Sequence, residues 1–536
     1  MRKIILVSLV IMYGSLVHSQ SAKSPLMGWA SWNQLGVNIN ETIIKGQADA
    51  MVSSGLLDAG YNYLNIDDGF FNGRYADGTL KIDSIKFTAG MKTLVDYIHS
   101  KGLKAGFYSE AGMNTCGSQW SGQPGGVGGG MYNHDQQDAD LFFKTWGFDF
   151  LKVDYCGGLV QKLDEKTRYT AIKKAIDNTG RKDINFNVCR WQFPGTWVTK
   201  VADSWRMSTD INFTPGSIPK WRNIVAIIDQ NKYLAPYASQ GHYNDMDMLE
   251  VGRGLSVEED RSHFSMWCIL SSPLVLGFNM DKMSPETKEI VTNAEVIAVN
   301  QDTTGLQAHL ISENGAGLQV WAKPLNGKIS KERAVVLFNR TEVEVAMTIK
   351  WKDLNLTGGA TVRNLWSHTD LGRMDSLYTT VVPAHGVVML KVVGEKVKLQ
   401  EKFEAEYAWI NNFNLAQNGE VVSGQGRVIA DAKCSGSAKV GWLGHNADNY
   451  IEFRDIYAAV SGSYNLIITF ISAGKQNATL SVNGKKIQLK GFNSDAFSPK
   501  HSTYRIKLNK GFNTIRFSNA TEWLPDFDKI QLDLNK

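Results

Sequence analysis

From residue 25 to about residue 300 the chain alternates between two periodicities. Short apolar or alternating runs read as strands, and between them apolar residues recur at three- and four-residue intervals, as on one face of a helix. The strand candidates are LMGWASW (26–32), YNYLNIDDG (61–69), LKAGFYSE (103–110), FDFLKVDYC (148–156), INFNVCRW (184–191), SWRMSTDI (204–211), HYNDMDML (242–249) and SPLVLGF (272–278). The clearest helix places Met91, Leu94, Val95 and Ile98 on one face and stops at Gly102; another places Tyr169, Ile172 and Ile176 on one face and stops at Gly180. Eight strand–helix units in succession predict an α/β fold of the (β/α)8 TIM-barrel type. The rival, an open doubly wound sheet, would carry a glycine-rich phosphate turn after its first strand, and none is present.

Beyond about residue 305 the helical period disappears. AGLQVWAKPL, RAVVLFNR, VEVAMTIKW and GVVMLKVV alternate apolar and polar residues, as in an antiparallel sheet. The charged stretch GEKVKLQEK (394–402) reads as a linker, and from FEAEYAWI onward the pattern is again strand and turn, which suits a β-sandwich. The expected organisation is a barrel over 20–304, an antiparallel β domain over 305–395 and a β-sandwich over 402–536. The one low-complexity piece, SGQPGGVGGG (121–130), lacks the Gly-Lys-Ser/Thr ending of a phosphate loop and is expected to be a flexible loop beside the barrel mouth.

The first residues add a separate signal. Arg2 and Lys3 precede an apolar run that ends in small residues near Ser19, the layout of a secretory signal peptide over 1–19. The mature protein is therefore expected to be exported, periplasmic or secreted, without a membrane anchor. The 536 residues carry a formal net charge of +4 and no block of like charge, which excludes a nucleic-acid partner. Five cysteines in an exported chain of this length suggest one or two bridges and a free thiol. Cys116 and Cys156 would close a loop of 40 residues, but the sequence alone leaves that pairing open.

Chemistry concentrates where a barrel would open. Active sites of such barrels lie at the C-terminal ends of the strands. Here those ends carry Trp32, Asp67 with Asp68, Tyr108 with Glu110, Lys152 with Asp154, Arg190, Arg206 with Asp210, and Asp245 with Asp247. In FDFLKVDYCGG, strand alternation puts Lys152, Asp154 and Cys156 on one side and Leu151 and Val153 on the other. Charge on a buried strand is either paired or functional. Several carboxylates at one mouth point to chemistry that uses them in pairs, glycoside hydrolysis among it. Any one of these residues could instead be structural, and pattern alone does not choose between Asp210, Asp245 and Asp247 as a proton donor.

Seven motifs, MGWASWN, NIDDG, FYSEAGMNTC, LKVDYC, SWRMSTDI, YNDMDMLEVG and VNQD, occur in order over about 280 residues and resemble glycoside hydrolase family 27, whose best-known members are α-galactosidases. The resemblance implies a retaining hydrolase acting on terminal α-linked galactose of galactose-containing glycans. Asp154 would be the nucleophile and Asp210 the acid/base. Trp32, Asp67, Asp68, Tyr108, Lys152, Arg190 and Arg206 would contact the sugar. Catalysis of this kind requires no cofactor. Asp245 and Asp247 lack the glycine and final glutamate of a calcium loop and are read as supporting residues. The chain departs from the family pattern at Arg190, where members commonly carry Glu near the sugar 2-hydroxyl. Asp67 together with Asp68 favours galactose over arabinopyranose. A β-L-arabinopyranosidase, an α-glucan-acting relative, a transglycosylase and a non-catalytic sugar-binding protein stay open as alternatives.

The last 135 residues resemble, more loosely, a carbohydrate-binding module of family 35, through FEAEYA and PDFDKIQL. That likeness implies a structural calcium ion held by Glu404, Glu406 and Asp528, whose oxygens suit such an ion. It also makes Trp409, Trp442 and Trp523 candidate stacking platforms. The sequence sets neither the linkage cleaved nor the number of subunits.

Overall fold

The computed structural model describes residues 24–315, 317–413, 424–494 and 498–534; the expected signal peptide lies outside them. Eight parallel strands form the first unit: β1 (Met27–Ala30), β2 (Tyr63–Ile66), β3 (Lys104–Glu110), β4 (Phe150–Asp154), β5 (Asn185–Val188), β6 (Ser204–Arg206), β7 (Tyr243–Asp245) and β8 (Leu274–Leu276). Their order is β8-β1-β2-β3-β4-β5-β6-β7. The ring closes just past β7, where Leu249 bridges Leu276 of β8 and its N–H donates to the Val275 carbonyl at 2.7 Å. A (β/α)8 barrel results, as the alternating periods predict.

The helices form for the expected reasons. Met91, Leu94, Val95 and Ile98 are the buried stripe of helix Gly90–Ser100, and Gly102 turns the chain at φ +79°. Helix Glu165–Asn178 is capped by Asp164, which accepts the Thr167 N–H, and buries Tyr169, Ile172 and Ile176. One unit is incomplete. Between β5 and β6 the described chain makes only a 3-10 turn, Thr196–Lys200, so the helical layer has a gap there.

Every strand is shorter than its sequence pattern, and the residues cut from several C-terminal ends include charged ones: Asp67 and Asp68 after β2, Arg190 after β5, Asp210 after β6 and Asp247 after β7. Strand geometry fails there because side chains take over the backbone bonds. Asp68 donates its N–H to Asp67 Oδ1 at 2.9 Å, and Asp247 stands at φ +79°. The same correction applies to Cys156. It does not share the strand face of Lys152 and Asp154, because β4 ends at Asp154 and Cys156 begins the short helix Cys156–Val160.

The glycine-rich stretch 121–130 is held in place, contrary to the expected flexibility. Arg74 donates to the carbonyls of Gly128 and Gly130, both at 2.7 Å, and Thr115 N–H donates to the Gly126 carbonyl at 3.1 Å. A Cβ on Gly125 would stand 2.0 Å from the Phe71 carbonyl oxygen, and one on Gly130 would stand 2.1 Å from that of Gly112. Glycine serves close backbone approach here.

The second unit is a six-stranded antiparallel sheet with Glu332–Asn339 and Val387–Val397 at its centre, plus a two-stranded antiparallel sheet of Val345–Lys350 with Leu377–Val382. Strand Val387–Val397 consumes the first part of the expected linker, and strand Lys402–Glu404 already pairs with Asp526–Leu532 of the next unit. That third unit is a β-sandwich of six- and five-stranded sheets, with Phe517 and Phe527 meeting between them at 4.8 Å between ring centroids.

The units are packed against one another. Lys323 donates to Ser271 Oγ at 2.6 Å, and Trp366 Nε1 donates to Ser265 Oγ at 2.9 Å, joining the second unit to the barrel. Segment 409–413 of the third unit covers the helix-poor side of the barrel. Tyr237 OH donates to the Ile410 carbonyl at 3.0 Å, Thr196 Oγ1 donates to that of Asn411, and the rings of Phe193, Tyr237, Trp409 and Phe413 form one cluster.

Candidate active site

The wall of the site begins on β4. Alternation turns Lys152 and Asp154 inward, while Leu151 and Val153 are fully buried on the opposite face. Lys152 Nζ donates to Asp67 Oδ2 at 2.9 Å, lies 3.8 Å from Asp154 Oδ2, and stands 5.5 Å from the Tyr108 ring centroid. Burial pulls the ammonium of Lys152 down, but Asp67 and Asp154 outweigh it and hold it well above its ordinary range. Burial raises the Asp154 carboxyl, and the Lys152 charge opposes that rise. A fifth of the Lys152 side chain, 21 %, is still accessible, so the barrel is not filled at this level.

Arg206, at the end of β6, organises the other side. Its guanidinium lies 3.0 Å from Asp210 Oδ1 and 2.8 Å from Asp247 Oδ2. Asp247 also accepts the Ile211 N–H at 2.8 Å, which fixes where the chain leaves Asp210. Burial, only partly offset by Arg206, pushes the Asp247 carboxyl up to about 7. Asp210 is the most open of these acids, with 35 % of its side chain accessible against 8 % for Asp154. The two are electrically connected: the Asp210 charge contributes to raising Asp154.

Asp68 closes the far wall. Its Oδ2 accepts the Gly117 N–H at 2.7 Å, and burial pushes its carboxyl up to about 6. Gly117 follows Cys116, which is disulfide-bonded to Cys156, so the bridge joins the loops after β3 and β4. Cys189, Cys268 and Cys434 are free and buried. Tyr108 OH accepts the Cys116 N–H at 3.2 Å. Trp32 is half-buried directly after β1, and the neighbouring Ser31 Oγ accepts the Asp67 N–H at 3.0 Å.

Arg190 is the one sequence-selected side chain directed to other partners. Its Nε donates to Glu165, and its guanidinium lies 5.3 Å from the Tyr155 ring centroid. Its charge is thus matched outside the Lys152–Asp67–Asp154 group. Sequence reasoning also passed over Cys189 and Asn187, and set Glu110 at the mouth without giving it a role. Cys189 lies 3.9 Å from Arg206 Nη1 and against Asp154. Asn187 Nδ2 donates to Asp245 Oδ2 at 2.8 Å. Glu110 accepts the N–H groups of Gly112, Cys156 and Gly158 at 2.9, 2.9 and 3.2 Å. The alternation of Asn185, Asn187 and Cys189 in INFNVC was a usable signal, the same one that picked out β4.

A cavity runs down the barrel axis, lined by Asn65, Asp67, Lys152, Asn187, Arg206 and Asp247 among others; Asp154 lies one pleat nearer the mouth. Within this group Asn65 Oδ1, Asp68 Oδ1, Asp154 Oδ1, Asn187 Oδ1 and Arg206 Nε are buried and have no hydrogen-bond partner in the protein. Each such atom costs about 1–3 kcal/mol when left unmatched. Two of those acceptors, on Asn65 and Asn187, and the donor on Arg206 line the cavity, and Asp154 adds an acceptor nearer the mouth, a set that suits a small ligand rich in hydroxyl groups. A cation-backed carboxylate with a free oxygen can attack a carbon centre, and an accessible carboxylate opposite can exchange protons with water and a leaving oxygen.

Comparison with known proteins agrees. Residues 24–302 match the family model described as "Alpha galactosidase A", and 315–392 match "Alpha galactosidase C-terminal beta sandwich domain". The chain is 40 % identical over 387 residues to "Alpha-galactosidase 2" of Arabidopsis thaliana, spanning 71 % of this chain and 92 % of that one. It is 37 % identical over 420 residues to "Alpha-galactosidase A" of Cellvibrio japonicus, spanning 73 % and 99 %. The crystal structure of α-galactosidase I from Mortierella vinacea superposes with a TM-score of 0.63 at 35 % identity, covering 70 % of this chain and 98 % of that one. The chain belongs to the α-galactosidase family, glycoside hydrolase family 27, and is a glycoside hydrolase.

Proposed function

We propose that the protein is an exported, retaining exo-α-galactosidase that releases terminal α-linked D-galactose from oligo- or polysaccharides. Asp154 is the nucleophile and Asp210 the acid/base. The observation that carries this reading is the buried Asp154 carboxylate, backed by Lys152 and with Oδ1 unengaged, electrically coupled to an accessible Asp210. Asp154 Oδ1 attacks the anomeric carbon while the bond to the leaving oxygen breaks and Asp210 transfers its proton to that oxygen. Water then gives a proton to Asp210 and adds to the anomeric carbon as the ester to Asp154 breaks. Two inversions return the original configuration. Asp67, Asp68, Tyr108, Trp32, Lys152 and Arg206 hold the sugar, while Arg190 is paired with Glu165.

Asp154→Ala should lower turnover by about 10³-fold or more. Azide should restore part of it by entering from the face the carboxylate has left, yielding a galactosyl azide of inverted configuration. Full activity in that variant removes Asp154 from its role. Parallel assays on aryl α-D-galactoside and aryl β-L-arabinopyranoside test the sugar, and cleavage of neither withdraws the substrate assignment. Export is tested by the N-terminus of the processed protein, expected near residue 20 of the sequence.

We also infer that the third unit binds carbohydrate and holds a structural calcium ion. Glu404 Oε2 and Glu406 Oε2 are buried without partners, while Ser435 engages Glu404 Oε1 and Asp528 Oδ1, both at 2.7 Å. Unmatched carboxylate oxygens fit such an ion. The carboxylates do not lie close enough for one oxygen from each to come within 4.8 Å of the others, so binding would draw them together.

A further inference from the structure

A file of hydrogen bonds deep in the barrel leads to Asp210. It starts at Asn187 on β5, whose side chain is buried. Asn187 Nδ2 donates to Ser204 Oγ of β6 and, past that strand, to Asp245 Oδ2 of β7, both at 2.8 Å. An ionised carboxylate only accepts, so the amide nitrogen must be the atom that meets Asp245. The other oxygen of Asp245 accepts the Asp247 N–H at 2.9 Å. That bond helps to pin Asp247 in the left-handed region, at φ +79°, which a residue bearing a Cβ seldom adopts unless its surroundings hold it there. Asp247 then acts at its far end. Its Oδ2 accepts the Ile211 N–H at 2.8 Å and lies 2.8 Å from Arg206 Nη2, and the same nitrogen lies 3.0 Å from Asp210 Oδ1. The file therefore ends on both things that place Asp210: the backbone that follows it and the cation beside it.

Charge explains why the file needs its first member. Asp247, Asp210 and Asp245 all draw on the positive charge of Arg206. One guanidinium cannot engage three carboxylates equally. Asn187 and the Asp247 N–H occupy the two oxygens of Asp245, which leaves Arg206 to Asp247 and Asp210. We propose that Asn187 is a positioning residue for proton transfer: by holding Asp245 it sets the turn at Asp247, and through Asp247 and Arg206 the seat of the Asp210 carboxyl. The assignment rests on the reading of Asp210 as the acid/base. A proton donor works only within hydrogen-bond reach of the oxygen it serves, and a misplacement of about 1 Å costs up to about 10²-fold in rate. Asn187 also lines the cavity, and its Oδ1 has no partner in the protein, so a direct ligand contact is the competing role.

The test compares two substrates with the same galactose on the full-length protein. The leaving group of 2,4-dinitrophenyl α-D-galactoside departs as a stable anion and needs no proton, whereas that of methyl α-D-galactoside needs one. Asn187→Asp is nearly isosteric and sets a carboxylate against Asp245. It should lower kcat/KM about tenfold or more on the methyl galactoside and less than about threefold on the dinitrophenyl galactoside. Adding Asp245→Asn to that variant reverses the pair, so that a donor again faces an acceptor and an amide oxygen remains for the Asp247 N–H. The double variant should recover most of the lost activity on the methyl galactoside. Equal losses on the two substrates in Asn187→Asp, no loss on either, or no recovery in the double variant each overturn the proposal; equal losses would give Asn187 to ligand contact or to the fold. Asp210→Ala is the reference: its loss should fall mainly on the methyl galactoside, and equal losses there would count against the acid/base reading instead.

Discussion

Lys152 shows how one side chain ties two acids together and governs the protonation of one of them. Its ammonium is shared between Asp67 and Asp154 at 2.9 and 3.8 Å. Burial raises the Asp154 carboxyl and Lys152 resists it, so removing the cation leaves burial unopposed. With the carboxyl raised further, a higher pH is needed to ionise Asp154, the nucleophile in the proposed mechanism. Lys152→Met should therefore move the acid limb of the kcat/KM profile to higher pH. An acid limb that stays in place would show that Lys152 serves sugar binding alone. The residue scale also marks where the sequence could mislead. Arg190 reads as a charge aimed at the sugar, yet Glu165, twenty-five positions away, claims its Nε.

Among the elements, the loops after β3 and β4 act as one piece because the Cys116–Cys156 bridge joins them and Glu110 accepts backbone N–H groups from both. The bridge closes a 40-residue loop, which the chain-entropy account values at about 4 kcal/mol. Replacing both cysteines with serine should cost about 2–4 kcal/mol in denaturant unfolding. It should also weaken galactose inhibition, since the Gly117 N–H that engages Asp68 is held beside the bridge. Unchanged inhibition would separate the bridge from the site. In the third unit, calcium added after chelation should raise the melting temperature, and Glu406→Gln should abolish that rise. No response to calcium would leave the acids as a structural cluster.

For the whole molecule, the third unit completes the barrel's outer layer. Where β5 and β6 lack a helix between them, segment 409–413 supplies apolar cover, and Tyr237 OH both donates to the Ile410 carbonyl at 3.0 Å and accepts its N–H at 3.3 Å. Tyr237→Phe keeps the ring but leaves the buried Ile410 groups unmatched, so stability should fall by about 1–3 kcal/mol. A barrel and sandwich that then melt separately in calorimetry would confirm their coupling in the parent, whereas an unaltered single transition would argue against it. The eight strands, their order and the acids at their ends were legible in the sequence because side-chain alternation and helical stripes are local properties, set by neighbours within a turn or a pleat. Alternation alone placed Lys152 and Asp154 on one inward face. Which charges meet was decided only by closing the ring: Asp67 and Lys152 are 85 residues apart in the chain. The same closure set Asp247 against Arg206, laid Cys189 between two charged groups, pinned a glycine-rich loop that reads as slack, and put a distant sandwich over the barrel's gap. Those partners come from different strands and units, and no periodicity along the chain records a contact made across it.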